Sequence, residues 1–302
     1  MLNRRDFIRR SLQAASLSAI GSLPVFDLVP QSFAADAVEL AVRTGSDIPA
    51  LVRETVAALG GMSRFVKAGE TVVLKPNIGW DRTVELAANT HPQVVATVAL
   101  LCLEAKAARV RIFDRTCNDP RRCYVQSGIA AAIEALDDKR VELEHIDRRG
   151  YQEILLKNGV ALKKWEFYKP ALTADRLINL PIAKDHSISV LTLGMKNIMG
   201  VIGGNRGVLH RNIDEALADI NSVIHSDLTI IDATRILTAN GPQGGSLDDV
   251  KRLDTLIASA DIVAADSYAA TLFGFRPEQI PTIVAGAKRG LGVMDLSKVK
   301  KV

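Results

Sequence analysis

From Val38 onward, short β-branched runs alternate with longer segments of helical period, and no other feature narrows the fold as much. The alternation predicts an α/β fold: a mostly parallel sheet with helices on both faces. Residues 38–42, 71–74, 110–113, 141–145, 177–180, 228–231 and 256–258 read as strands. Residues 48–59, 92–105, 124–136, 213–224 and 262–273 read as helices; the second opens on Pro92 and carries an apolar stripe at Val94, Val95, Val98, Leu101 and Cys102. Asn212 stands where it can cap the helix at 213, which keeps Ile213, Ala216, Leu217, Ile220 and Ile224 on one face. Residues 148–169 are more polar and less regular. At ~150 residues per domain the chain has room for about two domains, and one large α/β unit, or two lobes around a cleft, fits its length as well.

Almost every expected strand runs into polar residues. Leu74 leads into Lys75 and Asn77, Phe113 into Asp114, Leu180 into Lys184 and His186, Ile231 into Asp232, and Ala258 into Ser259 and Asp261. In a parallel sheet the carboxyl ends share one rim, where open α/β folds bind ligands. Asp261, just before an apolar helix, reads as an N-cap. Lys75 and Lys184 do not, because a cation at a helix entry opposes the dipole.

A second concentration spans 186–214. Lys196 and Asn197 interrupt an apolar run, so they face a cleft or a partner rather than an uncompensated interior. Gly203 and Gly204 begin a stretch whose amides could hold an anion. His186 and His210 flank the segment, whereas His91, His145 and His225 read as structural. One continuous helix over 187–199 would hold His186 and Lys196 ~15 Å apart along its axis, so either Gly194 breaks the helix or the site is elongated.

The amino terminus reads as an address. Arg4, Arg5, Arg9 and Arg10 precede a mildly apolar stretch, and Ser32-Phe33-Ala34 offers small residues for signal peptidase. The Arg4-Arg5-Asp6-Phe7-Ile8 run resembles a twin-arginine signal, which implies recognition by the twin-arginine export machinery. We therefore expect residues 1–34 to be a signal peptide, 35–302 to be the mature α/β domain, and the product to be periplasmic or secreted, with no stable membrane span. The formal net charge of +4 is largely terminal, because residues 35–302 hold 34 basic and 32 acidic side chains. With aromatics at only 5%, that balance argues against a nucleic-acid partner.

Phosphate-loop, dinucleotide-fingerprint, zincin and nucleophile-elbow motifs do not occur. Three cysteines cannot by themselves supply a four-thiolate iron–sulfur cluster. Cys102 reads as core, and Cys117 and Cys123, with five loop residues between them, either pair after export or stay free.

Several segments, in order, resemble the bacterial "domain of unknown function 362" family over about residues 72–274. They are Leu74-Lys75-Pro76-Asn77, Thr90-His91-Pro92, Phe113-Asp114, Gly194-Met195-Lys196-Asn197, His210, Asn240-Gly241-Pro242 and Ala258-Ser259-Ala260-Asp261. The order His186, Lys196, His210 is also similar to one in the lactate racemase family. That resemblance implies that Lys196 holds a nickel-pincer nucleotide, that His186 is a metal ligand or general base, and that His210 is a second ligand or acid.

The expected cleft is thus lined by Lys75, Asn77, Asp114 and Lys184 from the strand ends, and by His186, Lys196, Asn197 and His210 from the later segment. Two functions remain open. One is an enzyme that binds a small anionic molecule or nucleotide-derived cofactor, with lysines neutralising charge and a histidine moving protons. The other is a non-catalytic binding or cofactor-maturation protein. The cofactor itself is not specified by the sequence.

Overall fold

The computed structural model describes residues 38–302 and the backbone of Val25–Phe26. The expected signal peptide otherwise lies outside the described residues.

In chain order the elements begin with β1 (Val38–Thr44), α1 (Ile48–Ala58), β2 (Thr71–Pro76), α2 (Pro92–Glu104) and β3 (Arg109–Ile112). They continue with α3 (Pro120–Gln126), α4 (Ile129–Glu134), β4 (Val141–Leu143), β5 (Tyr151–Leu156), β6 (Lys164–Tyr168) and α5 (Lys169–Thr173). Then follow β7 (Arg176–Leu180), β8 (Ile182–His186), β9 (Val190–Thr192), α6 (Gly194–Asn197) and α7 (Ile213–Val223). The chain closes with β10 (Leu228–Leu237), β11 (Val250–Ser259), α8 (Ile262–Thr271), α9 (Pro281–Lys288) and β12 (Val299–Lys301).

The main sheet has the order β12-β1-β11-β10-β7-β2-β3-β4, with β8 joined to β10 and β9 to β8. Strands β4, β3, β2, β7 and β10 are parallel, while β11 runs against both of its neighbours. The sheet is therefore mostly parallel and mixed at one side. Its strands are apolar on both faces because both are covered. Val72, Leu74, Ile178 and Ile230 pack with Leu51 and Val52 of α1 and Val94 and Val98 of α2. The alternate residues Val73, Leu177, Ile231 and Ile257 pack with Leu217 of α7, Val263 of α8 and Ile283 of α9. Among the described residues no helix is long and apolar enough to cross a membrane.

Five expectations are corrected. The helix expected over 124–136 is two helices, broken at Gly128, whose φ of 74° no helix accommodates. The irregular stretch at 148–169 contains the antiparallel hairpin β5–β6. Asn212 precedes α7 without a side-chain capping bond. Because β11 is antiparallel, Ser259 and Asp261 lie on the rim opposite the ends of β2, β3 and β7, where Asp261 caps α8 by accepting from Ala264 N at 2.8 Å. Asp232 likewise sits inside a longer β10 and accepts the His91 amide at 2.7 Å.

Candidate active-site cleft

The carboxyl end of β2 carries Lys75 and Asn77, and the end of β3 leads to Asp114. These are the strand ends on which a parallel sheet converges ligands. From β7 the chain continues into the β8–β9 hairpin, whose register pairs Lys184 with Thr192 and His186 with Val190. The hairpin folds the chain back, so His186 and Lys196 line one cleft, and the long helix that would have separated them does not form.

Two glycines permit the close approach. A Cβ on Gly194 would stand 2.7 Å from Asp266 Oδ1 and 2.9 Å from Ile262 Cγ1. A Cβ on Gly200 would overlap Asp114 Oδ1 and the end of the Lys75 side chain. Asp266 of α8 accepts the amides of Gly194 at 2.6 Å and Met195 at 2.9 Å, which fixes the turn presenting Lys196 and Asn197.

Three lysines meet this region in three different states. Lys75 is fully buried, and its amine lies 2.9 Å from Asp114 Oδ1, 2.6 Å from Pro76 O and 3.2 Å from Asn197 Oδ1. Lys184 is 1% exposed and donates to Ala88 O at 2.5 Å and Asn77 Oδ1 at 3.3 Å, with the Trp80 ring 5.9 Å away. Among the described residues it has no carboxylate partner, and burial draws its pKa down to about 7. Lys196 is part-buried and lines the cleft, and among the described residues its amine has neither a hydrogen-bond nor an ion-pair partner. Burial first, with Arg206 and Lys75 nearby, draws its pKa down to about 8.

Asn77 and Asn197 knit the floor. Asn77 Nδ2 donates to Asn197 Oδ1 at 3.1 Å, and Asn197 Nδ2 donates to Lys75 O at 3.0 Å and to Asn179 Oδ1 at 2.9 Å.

The two histidines divide their roles by tautomer. His186 Nδ1 accepts the amides of Ile188 at 3.1 Å and Ser189 at 3.3 Å, so the proton of the neutral ring sits on Nε2. Burial and the Lys196 charge push its pKa down to about 3, which keeps the ring neutral. His210 Nδ1 faces the Gly207 carbonyl at 3.1 Å; that oxygen can only accept, so His210 Nε2 keeps the free lone pair. The ring centroids are 6.2 Å apart.

A base or metal-ligand role for His186 through Nε2 requires the other tautomer. Freeing Nε2 would move the proton to Nδ1, against two N–H donors. No group of three or more His, Cys, Asp or Glu that could hold a metal by itself occurs among the described residues. Gly203 and Gly204 line the cleft, but their amides are already used: Gly203 N donates to Glu166 O and Gly204 N to Glu166 Oε2, both at 2.8 Å. They are not an open anion cradle.

The cleft encloses about 1110 Å³. Five Lys and Arg side chains line it against two carboxylates, and both carboxylates are engaged, Asp114 by Lys75 and Glu166 by Gly204. Arg115 and Arg206 are held by carbonyls instead: Arg115 donates to Ile202 O and Gly204 O, and Arg206 to Arg115 O and Thr116 O, each at 2.9 Å. Neither forms an ion pair among the described residues, and Glu166 acts on Arg115 only through space. Arg148, Tyr151 and Glu166 reach the cleft from the β5–β6 region, and the strand-forming residues of Tyr151–Leu156 and Lys164–Tyr168 are the signal that could have found them. Cys117 and Cys123 are both free thiols, Cys117 exposed at the cleft and Cys123 buried.

The sequence pattern described as "Domain of unknown function (DUF362)" matches residues 72–271, the span that supplies the whole cleft floor. The chain belongs to the DUF362 family. This DUF362 protein is similar to the thylakoid-associated protein sll1697 of Synechocystis sp., with 30% identity over 250 residues covering 80% of this chain and 75% of that one. Two solved structures resemble it at 11% identity and a TM-score of 0.47: lactate racemase apoprotein from Thermoanaerobacterium thermosaccharolyticum, covering 83% of this chain, and a Thermotoga maritima protein, covering 77%. The DUF362 chain spans 61% and 60% of those two structures.

Proposed function

We propose that this DUF362 protein is an exported enzyme that binds a small anionic molecule, or an anionic cofactor, in the cleft above β2, β3 and β7. The observation that carries the reading is the Lys196 amine, which lines the cleft with no partner while every nearby carboxylate is engaged. A cation withdrawn from water and left unpaired is costly, and an incoming anion offsets that cost. Arg115 and Arg206, fixed by carbonyls, add charge in a preorganised geometry that needs no rearrangement when the anion arrives. His186 Nε2–H offers a neutral donor, and His210 Nε2 an acceptor for a proton.

Titration calorimetry at low ionic strength, with phosphate, pyrophosphate and a small dicarboxylate, tests the reading. At least one should bind, and Lys196→Met should weaken it about 10-fold, the equivalent of ~1.4 kcal/mol. The exposed Lys67→Met should leave binding unchanged. If none of the anions binds, or if Lys196→Met binds as tightly as the unaltered chain, the cleft is not an anion site.

A further inference from the structure

The geometry points to Lys196 as a nucleophilic amine that forms an imine with the carbonyl carbon of an anionic oxo compound, a 2-oxo acid being the simplest class. This deepens the anion-binding reading and rests on it.

Elimination among the three lysines selects Lys196. Lys75 has its amine committed to Asp114, Pro76 O and Asn197, with no exposure at all. Lys184 is 1% exposed and its amine is committed to Ala88 O and Asn77. Of these three lysines, the Lys196 amine alone combines access to the cleft with the lack of an acceptor among the described residues. It is carried on α6, a four-residue turn clamped by Asp266, so the amine is presented by a fixed element. Its surroundings favour the neutral, nucleophilic form, because burial and the charges of Arg206 and Lys75 all act against the ammonium. With a pKa of about 8, the amine has a neutral fraction near pH 7.5 on the order of 100-fold above that of an ordinary exposed lysine.

The same cations that disfavour the ammonium attract a carboxylate, which places the substrate's charge beside the amine. The step balances without any redox partner. The neutral amine attacks the carbonyl carbon, the carbon–oxygen π bond breaks, and a carbinolamine forms. Its hydroxyl leaves as water, so that ammonium plus ketone yield protonated imine plus water. His186 Nε2–H, on a neutral ring, can donate a hydrogen bond to the carbonyl and then the carbinolamine oxygen, while the His210 Nε2 lone pair can take the proton released by the amine and return it to the departing hydroxyl.

Reductive trapping tests this. The folded chain is incubated with pyruvate or 2-oxoglutarate and cyanoborohydride, then digested, and the modified lysines are mapped by mass spectrometry. Lys196 should be labelled at least about 10-fold faster than any exposed lysine, a conservative share of its larger neutral fraction. Neutral acetone should label it far more slowly, and pyrophosphate should suppress the label. Lys196→Arg should abolish the label at that position without raising the labelling of any other lysine. Circular dichroism confirms that this variant is folded, and Lys67→Arg serves as the control. If oxo acids bind by calorimetry but Lys196 is labelled no faster than exposed lysines, the imine is overturned and anion binding survives. If the oxo acids neither bind nor label, the imine is overturned, and the inorganic anions then decide the anion-binding reading separately.

Discussion

Lys184 shows how much a single residue's surroundings decide. It is as cationic as Lys196 in sequence, yet it is sealed between Ala88 O, Asn77 and the Trp80 ring, without a carboxylate, and its pKa falls to about 7. The unfolded chain keeps this lysine protonated up to its ordinary pKa near 10.5, so between those limits the unfolded state binds more protons than the folded one. Lys184 therefore adds stability as pH rises above about 7, with a slope of up to ~1.4 kcal/mol per pH unit. Lys196 acts in the same sense above about pH 8, while Asp266, lifted to about 7 by burial, acts in the opposite sense below pH 7. Urea unfolding between pH 7 and pH 10 should show stability rising in the unaltered chain and a flatter dependence in Lys184→Met. Equal slopes in the two proteins would mean that Lys184 is charged when folded.

At the scale of elements, the short turn α6 matters more than its length suggests, because a carboxylate on a different helix holds it. Both oxygens of Asp266 are used, one for Gly194 N and one for Met195 N. In Asp266→Asn one of the two positions becomes an NH₂ facing an N–H, which leaves a buried donor unsatisfied at a cost of about 1–3 kcal/mol. Chemical denaturation should show that loss, and calorimetry should show weakened anion binding because Lys196 rides on the displaced turn. A variant with normal stability and normal anion affinity would mean that α6 is held by other contacts. The strands and helices were largely legible in the sequence, since apolar runs at the period of each element are what packing on a two-faced sheet requires. The convergence of Lys75, Asn77 and Asp114 followed from parallel strand direction alone. The direction of β11 was not legible, because an antiparallel strand buried on both faces carries the same apolar run as a parallel one. The clamp by Asp266 was hidden for a different reason: it joins residues 72 positions apart, and its sequence neighbourhood reads as an ordinary helix. The hydrogen-bond direction at His186 was equally invisible, since the choice of tautomer depends on two amides in a turn that the sequence did not define.

For the molecule as a whole, the export expected from Arg4 and Arg5 constrains how the cleft comes to exist. Lys75 and Lys184 are buried only once β2, β7, β8 and the loop at Ala88 have come together, so the cleft is a property of the folded chain and not of any segment. A route that carries folded proteins would deliver it assembled, with any tightly held anion already inside. Cleavage after Ala34 or Ala35 would leave β1, which starts at Val38, and everything beyond it intact. It would remove Val25–Phe26, whose backbone pairs with Leu155 and Leu156, and so open one edge of the β5–β6 hairpin. Expressed with its own leader in a bacterium that has the twin-arginine pathway, the protein should be recovered from the periplasm with its terminus at Ala35 or Asp36. Arg4→Lys combined with Arg5→Lys should hold the uncleaved precursor in the cytoplasm, and the precursor purified from there should bind the same anions as the mature form, since the described residues that line the cleft lie between Asn77 and Pro242. Periplasmic recovery undiminished by the double substitution, or an intact Met1 on the exported chain, would overturn the export assignment. Neither outcome would affect the anion site, whose described lining residues lie between Asn77 and Pro242.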